Sequence, residues 1–135
     1  MVSDYYSATL IDHFEHPRNA GVMEGADAEA YVTNPVCGDS LRLYLRIDEG
    51  RVAAASFLSS GCPASIATSS AATELLVGLP LAEAEALPRE RYAEAVGGLP
   101  KSKVHCSVLA ASAVRQAIAT WRQRREAAGP QAHGG

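Results

Sequence analysis

The chain has 135 residues and a mass of 14.2 kDa, enough for one domain and too little for two cores of ordinary size. Apolar residues make up 47% and charged residues 20%, which excludes a disordered or fibrous chain. The net charge of −3, with ten Arg and two Lys dispersed along the chain, supplies no basic face for nucleic acid. The longest apolar runs, such as Val52 to Ala55, fall far short of the ~18 residues of a membrane span, so no membrane partner is expected. Met1-Val2-Ser3-Asp4-Tyr5-Tyr6 lacks the basic-then-apolar pattern of an export signal, and Cys37, Cys62 and Cys106 are an odd set. A cytoplasmic chain with reduced thiols is the expectation.

From Asp4 to Phe14 the apolar residues Tyr6, Leu10, Ile11 and Phe14 recur at helical spacing, and His16-Pro17-Arg18-Asn19 ends the pattern. Ala30 to Thr33 predicts a brief strand. Leu41, Leu43, Leu45 and Ile47 alternate with Arg42, Tyr44 and Arg46, the period-two signature of a strand with one buried face. Asp48-Glu49-Gly50-Arg51 is turn chemistry, and Val52 to Ser59 returns as a second strand, forming an antiparallel hairpin. A two-residue loop at Glu49-Gly50 pairs Ile47 with Val52 and Leu41 with Leu58. Continued beyond the strands, it sets Cys37 opposite Cys62.

Pro63 to Val77 predicts a helix whose Ala and Ser residues let it lie close to the sheet. Shorter helical pieces follow at Ala82 to Leu87 and Arg89 to Val96. Ala110, Val114, Ala117, Ile118 and Trp121 mark a long amphipathic helix from Ser107 to Glu126, and Gly129 to Gly135 reads as a flexible tail. Residues 1–128 are thus the expected domain and 129–135 the tail.

Each cysteine stands where a loop meets regular structure, beside Gly38 and Asp39, Gly61 and Pro63, or His105 and Ser107. Cys62 and Cys106 fall at predicted helix N-termini, which favour a thiolate, and Lys101 and Lys103 add positive charge near Cys106. Three sulfurs with His105 or Asp39 make a thiolate-rich, four-coordinate set suited to zinc, ferrous iron or an iron-sulfur cluster. The chain has no C-x-x-C pair and fits no zinc-finger template, so this reading rests on topology. A nucleophilic Cys106 with His105 is the competing reading, and it leaves Cys37 and Cys62 without a role. His13 and His16 read as surface residues, and His133 falls in the tail.

Four segments resemble the IscU/NifU-type iron-sulfur cluster assembly scaffolds. They are Asp12-His13-Phe14-Glu15-His16-Pro17-Arg18-Asn19-Ala20-Gly21, Asn34-Pro35-Val36-Cys37-Gly38-Asp39, Gly61-Cys62-Pro63-Ala64-Ser65-Ile66-Ala67-Thr68-Ser69-Ser70, and Lys103-Val104-His105-Cys106-Ser107-Val108-Leu109-Ala110. Their order matches the family from about Tyr5 to Trp121. The resemblance implies an α+β fold, a three-stranded antiparallel sheet with helices packed on one face and a long C-terminal helix. It implies a scaffold rather than a turnover enzyme, one that takes persulfide sulfur from a cysteine desulfurase. Iron and electrons come from donors such as a frataxin-like protein and ferredoxin, and a transient 2Fe-2S cluster passes to recipient apo-proteins.

On the matching positions Cys37, Cys62 and Cys106 are ligands, Asp39 and His105 are alternative or exchanging ligands, and Cys106 is the persulfide acceptor. The family's chaperone-recognition segment, Leu-Pro-Pro-Val-Lys, reads Leu99-Pro100-Lys101-Ser102-Lys103 here, so docking of a dedicated heat-shock chaperone is not carried over. His105 and the lack of an obvious insertion favour the IscU-like branch. A SufU-like, zinc-binding sulfur acceptor is the alternative.

Overall fold

The computed structural model of the chain describes residues 5–35 and 38–133. The first helix, α1, spans Ala8–Glu15, and Ser7 caps it, its hydroxyl oxygen accepting from the Leu10 N–H at 2.9 Å. The expected start at Asp4 lies outside the described residues, and Tyr5 and Tyr6 precede the cap without being helical. Three strands follow, β1 (Ala28–Asn34), β2 (Asp39–Asp48) and β3 (Arg51–Ser60), paired antiparallel in the order β1-β2-β3.

Glu49 and Gly50 close the β2–β3 hairpin with φ of 51° and 75°, the left-handed pair that matches the twist of the flanking strands. Ile47 pairs with Val52 as expected, but a bulge follows at Arg46/Ile47, so Leu41 lies opposite Ser59 rather than Leu58. The extra residue in β3 reverses its facing, which brings both Val52 and Ala55 into the core. Leu58 is left 44% exposed. A period-two count across the hairpin cannot contain such a bulge.

Helix α2 (Pro63–Leu76) starts with proline in its first turn and buries Ala64, Ser65, Ala67, Thr68 and the residues through Thr73. Its small side chains bring the backbone close to β3, as the composition implied. Helices α3 (Leu81–Ala86) and α4 (Arg89–Ala95) are short, introduced by Pro80 and Pro88. The last helix, α5 (His105–His133), starts before the expected Ser107 and continues past Glu126. The core lies between one sheet face (Ala30, Leu43, Leu45, Phe57) and α2 and α5 (Leu76, Val114). The opposite face is polar: Arg42 bonds Glu29 at 2.6 Å and covers the Tyr31 ring at 4.6 Å.

The Asp12 to Gly21 segment ties α1 to both α2 and the edge of β3. Arg18 N–H donates to the Ser70 hydroxyl at 2.8 Å, and Asn19 Nδ2 donates to Thr73 Oγ1 at 3.0 Å. Phe57 N–H reaches Asn19 O at 3.0 Å, while Gly21 N–H reaches Phe57 O at 2.8 Å. These bonds satisfy β3 backbone groups that an open edge would expose. A smaller apolar cluster, Leu10, Ala64, Ala67, Ala71 and Val96 with Cys106, fills the space between α1, α2 and the start of α5.

Candidate metal centre

Three chain reversals meet at one end of the sheet. Asp39 is the first residue of β2, Cys62 stands immediately before the first turn of α2, and Cys106 lies in the first turn of α5. One ligand atom from each of Asp39, Cys62 and Cys106 lies within 4.8 Å of the other two. Asp39 is 4% exposed and Cys106 3%, whereas Cys62 is half-buried. His105 joins through the carboxylate, its Nε2 standing 3.2 Å from Asp39 Oδ2. The centre therefore gathers four of the five expected residues, three as one ligand-sized group and His105 as the partner of Asp39. Cys37 lies outside the described residues. Two thiols and a carboxylate at this separation form a mixed soft and hard donor set for a divalent transition metal.

The local charge differs from the sequence expectation. Helix position and two lysines were reasons to expect a Cys106 thiolate, but its pKa is pushed up to about 12, mainly by burial, then by Cys62 and Asp39. Hydrogen bonding to Cys62 raises it further, and hydrogen bonding to the Ser65 side chain opposes the rise. The charge of Lys103 falls first on Cys62: that sulfur is the largest cause holding the Lys103 pKa up, with Cys106 the smallest. Burial of the Cys106 side chain in the apolar cluster outweighs the helix terminus because desolvation acts on the whole thiolate charge.

Ser65 and Gly61 are parts of the site that motif reading did not single out. Ser65 is one helical turn after Cys62 and so shares its face, a signal present in the i, i+3 spacing. Gly61 has φ of +151° and leaves free the space a Cβ would take from the Asp39 side chain, a proximity that only the folded chain shows. His13 corrects the surface assignment, being 6% exposed with Nδ1 2.8 Å from the Ser70 hydroxyl. Its pKa is lowered, first by desolvation and then by Arg18. His16 is exposed, as expected. Lys101–Lys103 forms a single 3-10 turn between Pro100 and α5, and the Ser102 hydroxyl contacts the Tyr5 hydroxyl.

Residues 5–128 match the NifU-like N-terminal domain. The chain belongs to that family. It is 50% identical over 113 residues to iron-sulfur cluster assembly scaffold protein IscU 1 of Archaeoglobus fulgidus, spanning 84% of this chain and 74% of that relative. It is 41% identical over 126 residues to the IscU scaffold protein of Escherichia coli, covering 90% of this chain and 98% of that one. A crystal structure of a NifU-like N-terminal protein from Brucella abortus superposes with a TM-score of 0.73 at 19% identity, over 90% of this chain and 97% of the other, and so shares the fold. This agrees with the IscU/NifU-type resemblance in the four sequence segments, and the SufU-like alternative is not better supported.

Proposed function

We propose that the chain is a scaffold on which 2Fe-2S clusters are assembled and from which they are passed to recipient apo-proteins. The observation that carries this reading is the convergence of Asp39, Cys62 and Cys106 within 4.8 Å, in a chain half identical to an IscU scaffold protein. The cluster is cargo, and the chain's contribution is the donor set. Cys62 and Cys106 supply soft thiolates for iron, Cys37 is the third cysteine of the set, and Asp39 and His105 supply harder, more exchangeable donors. Zinc suits the same residues and is the metal the chain would hold outside the assembly cycle.

Sulfur arrives as the persulfide of a cysteine desulfurase. A Cys106 thiolate attacks the terminal sulfur of that persulfide, a new S–S bond forms on Cys106, and the donor cysteine leaves as a thiolate. Two electrons from a ferredoxin-type donor then reduce the transferred sulfur to sulfide, and iron comes from a frataxin-like or other donor. Cys106 must first lose its proton, and metal bound at Cys62 and Asp39 opposes the anionic charge that holds the proton on. On this reading the chain is a carrier and sulfur acceptor, working in the cytoplasm.

Anaerobic reconstitution with iron, a desulfurase and cysteine, followed by visible absorption and metal analysis, tests the proposal. Sulfur-to-iron charge-transfer bands with two irons per cluster are expected. Retention of tightly bound zinc with no such bands would replace the scaffold by a zinc-holding sulfur acceptor of the SufU kind. Absence of both metal and bands would reject the metal centre.

A further inference from the structure

Gly61 stands directly before Cys62, and its Cα faces the Asp39 side chain. A methyl group on Gly61 would collide with Asp39 Oδ1 and stand 2.7 Å from Cγ and 3.2 Å from Cβ. Real side chains do not approach a Cβ that closely; the nearest obstructing atom is a carboxylate oxygen, and Cγ and Cβ stand close behind it, so rotating the carboxyl group alone does not clear the clash. Asp39 is 4% exposed, so its carboxylate is enclosed by the surrounding protein. The other carboxylate oxygen is already engaged, with Oδ2 3.2 Å from His105 Nε2. The carboxyl group is therefore held between a bare Cα on one side and an imidazole on the other, with Cys62 and Cys106 completing the group.

We infer that Gly61 is a positioning residue for the metal centre: its missing side chain is the seat that holds the Asp39 carboxylate within ligand distance of the two thiols. This rests on the reading of Asp39, Cys62 and Cys106 as metal ligands and adds the element that sets the place of the carboxylate. The φ of +151° at Gly61 is a second, independent reason for glycine, and the two reasons make different predictions. Backbone strain acts whatever residue occupies position 39. A steric seat matters only while Asp39 has a carboxyl group to be displaced.

A double-substitution cycle separates them. Cobalt(II) is the probe, its thiolate charge-transfer and d–d bands reporting coordination, and its affinity is measured by competition with a chelator. Gly61→Ala is expected to weaken cobalt binding by roughly 10- to 100-fold, the range found when a residue that orients a ligand is lost. It should also shift the d–d bands toward those of Asp39→Ala. In the Asp39→Ala or Asp39→Gly background, adding Gly61→Ala should change affinity by less than about threefold, a non-additive result, because a substitution that acts through Asp39 has nothing left to displace once the carboxyl group is gone.

Equal effects of Gly61→Ala in the presence and absence of Asp39 would overturn the inference and leave backbone strain as the explanation. If Gly61→Ala alone does not fold, recovery of thermal unfolding and cobalt binding in Gly61→Ala/Asp39→Gly is the same readout, and failure of that pair to recover overturns the seat. Wild-type protein that binds no cobalt would reject the metal centre itself, and the inference with it. Wild-type binding with an additive cycle would reject only the role of Gly61.

Discussion

Replacing Asp39 by alanine is expected to leave cluster assembly possible while making the assembled cluster longer-lived and slower to transfer. Release of a cluster requires at least one protein ligand to let go of iron so that an incoming thiolate can enter. In the structure the Asp39 carboxylate has a partner besides the thiols that stays beside it when it lets go of iron: Oδ2 lies 3.2 Å from His105 Nε2, with the aspartate 95% buried on its side-chain surface and the histidine 24% exposed. A charge-assisted hydrogen bond in such a setting contributes about 1.5–3 kcal/mol net, stabilising the ligand-released state by that amount. At about 1.4 kcal/mol per factor of ten, losing it slows release by roughly 10- to 150-fold. The assay is anaerobic decay of the cluster's visible absorption, together with transfer to an apo-ferredoxin, for both proteins at equal initial loading. A variant cluster that decays or transfers faster than wild type would show that Asp39 is a stabilising ligand and would refute the exchange argument. Weaker binding of a single cobalt ion in the same variant is compatible with slower cluster release, because the first is an equilibrium affinity and the second a rate of ligand departure.

Three further outcomes follow from particular contacts. Cys106→Ser should abolish persulfide labelling by a desulfurase more completely than Cys37→Ser or Cys62→Ser, read by mass spectrometry of the intact chain. Dominant labelling at Cys62, the more exposed of the two thiols among the described residues and the one whose charge bears most on Lys103, would move the acceptor there. Lys101→Pro with Ser102→Val should tighten binding to a heat-shock chaperone that reads the Pro-Pro-Val form, measured with full-length chains by fluorescence anisotropy. No change would mean that this exposed turn is not the determinant.

The third concerns His13, whose folded pKa lies below its unfolded value near 6.5 because burial and Arg18 disfavour the charged ring. The unfolded chain therefore binds the proton more readily, so His13 contributes fully above about pH 6.5 and its contribution is lost as pH falls toward the depressed folded pKa. Denaturant midpoints measured across that interval should fall more steeply for wild type than for His13→Gln. Parallel profiles would assign the acid sensitivity to other groups.

The sequence made the hairpin legible because Leu41, Leu43, Leu45 and Ile47 alternate cleanly and Glu49-Gly50 can take the left-handed turn. It did not make the register legible: the bulge at Arg46/Ile47 depends on which of Val52, Ala53 and Ala55 meets the helices, a tertiary choice that local alternation does not encode. Within α2, proline and small residues marked a closely packed helix. Ser70 and Thr73 could not be distinguished from the other small residues as the anchors of Arg18 and Asn19. His13 was misplaced for a related reason. It shares α1 with exposed Phe14, 39% accessible, so neither helical spacing nor polarity indicates that the imidazole turns inward to Ser70.

The grouping of Asp39, Cys62 and Cys106 was legible as residue types at loop ends, whereas its electrostatics were not, because these depend on what lies behind the sulfurs. Cys106 is continuous with an apolar cluster of Leu10, Ala64, Ala67, Ala71 and Val96, so its sulfur faces hydrocarbon on one side and Cys62 and Asp39 on the other. Both surroundings oppose a second negative charge, and one hydroxyl, Ser65, opposes them. The arrangement disfavours the Cys106 thiolate despite its helix N-terminus. On the proposed reading a cation at Cys62 and Asp39 reverses that balance, since it converts the two neighbours that now raise the pKa into its own ligands. The same proposed reading places metal entry before sulfur transfer.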